Sequence, residues 1–138
     1  MKKVLYGIWL VLLISGNIFP QDSNNVKTKV LIKTSASWDG SALPDYPGSK
    51  PEITILEITI PPNTKLPMHK HPEINAGVLL SGELTVKTGN GKVLHLKAGD
   101  PIVETVNKWH YGENNGNTPA KIIVFYAGTV GTPITITK

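Results

Sequence analysis

After residue 21, no stretch of this chain carries helical periodicity through three turns. Short runs of β-branched and aromatic residues alternate instead with dense turn signals. The longest run, residues 52–60, is dominated by Ile, Thr and Leu. β-Branched side chains lose rotamer freedom in a helix and suit a pleated strand. In a strand, Thr54, Leu56, Ile58 and Ile60 share one face, and Ile53, Ile55, Glu57 and Thr59 share the other. Further on, Thr88-Gly89-Asn90-Gly91 separates residues 83–87 from 92–96. Asn-Gly between two alternating runs is a strong hairpin signal. Runs at 77–80, 102–106, 109–111, 121–126 and 134–137 follow the same pattern, and Val30-Leu31-Ile32 reads as the first strand. The count is about eight to ten short strands, which means a sandwich or a closed barrel. Closure removes exposed edges and leaves a lumen for a small ligand. Residues 34–49 are a loop dense in Pro, Gly and Asp; Trp38 and Tyr46 predict that it folds back over an apolar surface.

A chain of 138 residues is long enough for one domain with its own core. It has no cysteine, which excludes a disulfide framework and a thiolate zinc site. All 14 basic residues are lysine. Without the bidentate guanidinium fork, nucleic acid is not the expected partner. Residues 1–21 pair a basic start, Lys2 and Lys3, with an apolar run from Val4 to Ile14 and then Ser15, Gly16 and Asn17. That is the layout of a secretory signal. The run is shorter than the ~20 apolar residues a span needs, and an uncleaved anchor is the competing reading. The expectation is a secreted or periplasmic protein with no stable membrane insertion once the signal is removed, and one domain over 22–138. Without Lys2 and Lys3, 12 lysines face 10 acidic residues, so charge alone names no acidic partner.

The chemistry concentrates in Met68-His69-Lys70-His71-Pro72-Glu73-Ile74-Asn75. In a strand, His69 and His71 project to the same side, roughly 6–7 Å apart along the backbone. Neutral imidazoles so placed can converge on one ion. An isolated His-x-His is more often a satisfied or surface pair. A third histidine, His110, lies within Val106-Asn107-Lys108-Trp109-His110-Tyr111-Gly112-Glu113-Asn114.

Together, His69, His71 and Gly82, then Gly99, His110 and Asn114, resemble the two signature motifs of the cupin superfamily. The resemblance covers roughly residues 52–127, and the chain looks like a small, exported, single-domain cupin. Three positions depart from the pattern. Asn75 stands where a Glu is usual, Thr105 where a proline is usual, and Asn107 where a glycine is usual. The resemblance implies an all-β jelly roll, or double-stranded β-helix, with one divalent transition metal ion (zinc, iron, manganese, nickel or copper) held by His69, His71 and His110. Asn75, water or Glu104 would complete the site. Three neutral imidazoles favour a transition ion over calcium or magnesium.

Glu104 stands where an apolar residue is expected and shares a strand face with Ile102 and Val106. It either faces solvent or serves the site as ligand, histidine partner or general base; we take it as the catalytic candidate. Glu73 is the weaker carboxylate, because Pro72 disturbs the alternation. His95 reads as surface, Asn114 as a turn-bonding residue, and Phe125 and Tyr126 as core or rim aromatics. Trp109 and Tyr111 either wall the pocket or pack the core. The expected partner is a small molecule, and a homodimer formed by adding Val30-Leu31-Ile32 to a neighbour's sheet is a further expectation. The competing functions are a non-catalytic ligand- or metal-binding module and a metal-free structural cupin.

Overall fold

The computed structural model describes residues 26–138, so the signal segment read at 1–21 lies outside the described residues. The alternating runs become ten strands: β1 (Pro51–Ile60), β2 (Thr64–Lys65), β3 (His69–Lys70), β4 (Ile74–Ser81), β5 (Glu83–Thr88), β6 (Val93–Lys97), β7 (Pro101–Val103), β8 (His110–Asn114), β9 (Ala120–Thr129) and β10 (Ile136–Thr137). One sheet has the order β1-β9-β4-β7; the other runs β10-β3-β8-β5-β6, with β2 also paired to β8. All ladders are antiparallel. This is the double-stranded β-helix, an all-β jelly roll. Among the described residues, no helix is long and apolar enough to cross a membrane.

The two sheets pack face to face because each presents its apolar parity inward. Ile60 from β1, Leu79 from β4, Leu84 and Val86 from β5 and Ile122 and Val124 from β9 form the buried core. Thr54, Leu56, Ile58 and Ile60 do lie on the inner side of β1. The opposite parity leaves Ile53 and Ile55 exposed, and Phe125, the register partner of Ile55, is exposed beside them. Phe125 is therefore not a core aromatic, whereas Tyr126, one residue on, is buried. The hairpin forms between β5 and β6, with Gly91 at φ 87°.

Two expectations fail. Val30-Leu31-Ile32 is not a strand of this fold; it has no ladder partner, and Val30 is 77% exposed. The 34–49 loop does fold back, but of its two large aromatics only Trp38 packs on the core; Tyr46 is exposed. Asp39 fixes the loop from its buried position by binding Lys108 Nζ at 2.8 Å. Burial alone would raise the Asp39 pKa, but the Lys108 ammonium and two bonds from Ser41 outweigh it and hold the carboxyl well below its usual range.

The motif glycines are turn positions. Gly82 (φ 74°) and Gly99 (φ 93°) occupy the left-handed region. Asn107, where glycine is usual, adopts φ 56°. Asparagine is among the few side chains that enter this region routinely, so the departure preserves the backbone geometry. Gly128 has a different reason. A Cβ there would overlap the Glu73 carboxylate, whose Oε1 accepts the Thr129 N–H at 2.6 Å. Gly128→Ala is expected to expel that buried carboxylate and destabilise the fold by about 2 kcal/mol, read as a lowered denaturant midpoint with an unchanged slope. An unchanged midpoint would show that Glu73 can leave at no penalty.

Beyond β9 the chain turns at residues 129–132 and returns along the barrel mouth. β10 pairs with β3, and Lys138 N–H donates to Met68 O at 3.0 Å.

Candidate metal centre

The register of the second sheet assembles the histidines. His69 on β3 lies directly opposite His110 on β8. His71, two residues on, forms a parallel bridge with Val106 and keeps the face of His69. The three rings lie 4.5, 5.0 and 5.1 Å apart by their centres, and one nitrogen from each falls within 4.8 Å of the others.

Backbone carbonyls fix how the rings point. His69 Nδ1 lies 2.7 Å from Pro67 O, His71 Nδ1 2.8 Å from Ile134 O and His110 Nδ1 2.9 Å from Lys108 O. A carbonyl can only accept, so in each ring Nδ1 carries the proton and Nε2 keeps its lone pair. This is the outer-shell arrangement that orients metal-bound imidazoles. Thr105, fully buried where proline is usual, adds its Oγ1 at 3.2 Å from His110 Nδ1. Burial lowers the pKa of all three rings, that of His71 to about 4. They are therefore neutral at pH 7, as ligands must be.

Glu104 faces inward and lines the same cavity. Its backbone N–H donates to Asn75 O at 3.1 Å, which sets the residue at the site's edge. Glu104 Oε2 lies 3.5 Å from His110 Nε2; both atoms are buried and neither has a hydrogen-bond partner. A carboxylate oxygen and an imidazole lone pair repel unless a proton or a cation sits between them. Burial pushes the Glu104 carboxyl up to about 7.

Asn75 is 1% exposed and also lines the cavity. Its Nδ2 donates to Glu73 O at 3.3 Å, so Oδ1 points the other way, buried and unpartnered. Glu73 itself is turned away from the histidines, toward Thr129. His95 sits on the surface beside Thr85. Asn114 ties the turn backbone, donating to Ile60, Pro61 and Thr118 carbonyls and accepting from Gly116 N–H. Trp109 and Tyr111 are absent from the cavity wall and instead lie under Lys70 and Lys65. Sequence reasoning missed Ile134, whose carbonyl holds His71, and Thr135 and Thr137, which line the mouth; no local signal connects them to a histidine more than 60 residues earlier.

The residues fit a transition ion: three neutral nitrogens converge beside an unpartnered carboxylate oxygen. The cupin domain family matches residues 56–126, just over half of the chain. The chain is a cupin.

No curated protein sequence matches it. Among solved structures, this cupin is similar to an oxalate decarboxylase–formate complex from Lactobacillus farciminis, at 21% identity and TM-score 0.54 over 62% of this chain and 26% of that one. The DMSP lyase DddQ from Ruegeria pomeroyi DSS-3 aligns at 19% identity and TM-score 0.55, over 62% of this chain and 43% of that one. A double-stranded β-helix protein from Klebsiella pneumoniae aligns at 24% identity and TM-score 0.52, over 66% and 86%. The cupin described here spans about a quarter of the decarboxylase chain and under half of the lyase chain. At these identities the likeness concerns the fold.

Proposed function

We propose that this cupin is an exported protein that binds one transition metal ion through His69, His71 and His110 and acts on a small molecule in the barrel lumen, with Glu104 as the catalytic carboxylate. The supporting observation is the facing pair of buried acceptors, Glu104 Oε2 and His110 Nε2, 3.5 Å apart and each without a hydrogen-bond partner. Zinc, iron, manganese, nickel and copper all suit the donor set. A bound ion supplies a Lewis acid for a water or substrate oxygen. The chain's own contribution is to hold three Nε2 lone pairs toward one point and to exclude water with the aliphatic wall. Glu104 Oε2 accepts a proton from a donor held beside the imidazoles and returns it from the same atom. The unpartnered Glu104 Oε2 beside the imidazoles favours an enzyme over a passive binding module.

Export rests on the signal-like residues 1–21. A homodimer is supported by the exposed Val30-Leu31-Ile32 segment and by the apolar outer sheet face at Ile53, Ile55 and Phe125. Small-molecule binding, not nucleic acid, accords with the absence of arginine and with a cavity in the barrel lumen.

The test is elemental analysis of protein purified without added ion. About one equivalent of a transition metal per chain is expected. Less than a tenth of an equivalent, with no uptake on titration, would leave the structural reading.

A further inference from the structure

The cavity beside the histidines has two kinds of lining. Its volume is about 240 Å³. Leu56, Ile58, Leu84, Val86, Ile122 and Val124 line it and belong to one packed aliphatic cluster. No lysine lines it, and the chain has no arginine. The imidazole group lines it too, with two residues that carry buried, unpartnered acceptors, Asn75 Oδ1 and Glu104 Oε2. A buried acceptor left without a donor keeps its full desolvation penalty. A ligand group that donates to it therefore binds with an advantage that a bare carboxylate cannot match.

We infer that the site takes a small molecule with a ring-sized hydrocarbon body and a single metal-binding head that keeps a hydrogen-bond donor once its oxygens are bound, such as the N–H of a hydroxamic acid. Size sets the body: an aliphatic cavity of about 150 Å³ accommodates benzene. The volume here leaves room for a six-membered ring plus a short head at the imidazoles. Charge sets the head. Dicarboxylates are disfavoured because no wall cation meets the second carboxylate, and Glu104 repels it. Asn75 sets the donor, since its amide orientation is held by Glu73 O and offers the cavity only an oxygen.

This inference rests on the metal centre proposed above, and its test separates the two. Zinc-loaded protein is titrated calorimetrically with acetohydroxamate, benzohydroxamate, N-methylbenzohydroxamate and oxalate. Benzohydroxamate is expected to bind at least tenfold tighter than acetohydroxamate, which has the same head but no ring. N-Methylation, which keeps the chelating oxygens and removes the N–H, is expected to weaken binding at least tenfold. Asn75→Leu is expected to abolish that N-methyl penalty. Equal affinity of the wild-type protein for all three hydroxamates, or oxalate binding more tightly than benzohydroxamate, would overturn the ligand class while leaving the metal centre standing. Failure to take up zinc would overturn the metal centre and the ligand class with it. The wild-type comparisons decide the matter even where the Asn75 variant does not fold.

Discussion

Replacing His110 by alanine is expected to reduce transition-metal affinity by at least about 100-fold, because loss of an outer-shell partner alone reduces it ~10–100-fold. His110 is 1% exposed, so solvent has no ready route to replace its nitrogen. His69→Ala is expected to act similarly, since its ring lies 4.5 Å from that of His110. His95→Ala is the control, as that ring bonds Thr85 on the surface. Metal titration followed by calorimetry, with circular dichroism to verify the fold, gives the comparison. Wild-type affinity in a folded His110→Ala protein would mean that the three rings pack against one another without binding an ion.

The second large effect is a pH dependence of the metal-free protein. Burial raises the Glu104 carboxyl to about 7, from an ordinary value near 4.5. A carboxyl raised in the folded state contributes stability that is fully present below about pH 4.5 and is lost as pH rises through about 7. The histidines act in the opposite sense. Their lowered values mean that stability present above about 6.5 is lost as pH falls, for His71 down through about 4. The two slopes oppose each other between about 4.5 and 6.5. Glu104→Gln removes only the first. Relative to wild type, the variant is expected to be more stable at pH 8 than at pH 4, with a difference of up to about 3 kcal/mol. Saturating metal should abolish the difference, because a divalent ion stabilises the carboxylate. Denaturant unfolding at the two pH values measures it; a pH-independent difference would place the Glu104 charge in water.

What the sequence disclosed follows from the range of each interaction. The inward parity of β1 was legible because alternation is local: Leu56, Ile58 and Ile60 announce one face and Glu57 the other. Glu104 was legible by the same parity with Ile102, although β7 ends at Val103. That it faces inward was not, because the deciding contact is its backbone bond to Asn75 on another strand. Val30-Leu31-Ile32 looked like a strand by composition, yet an apolar run becomes one only where a partner edge is available. Phe125 and Tyr126 shared a strand in the sequence; register against Ile55 alone decides which of them faces out. Among the site residues, the histidines were visible from their spacing. The carbonyl that turns His71 was not, because it lies 63 positions away. Asn107 appeared as a departure from the motif and proves equivalent to it, since the left-handed backbone is what that position requires.

The return of residues 134–138 across the mouth bears on biosynthesis. The Ile134 carbonyl orients His71, while β10 and Lys138 fasten the segment to β3 and Met68. A nascent chain released as far as Pro133 holds all three imidazoles but lacks the acceptor that aligns one of them. Alignment of the His71 ring thus waits until residues 134–138 have been synthesised and have paired with β3.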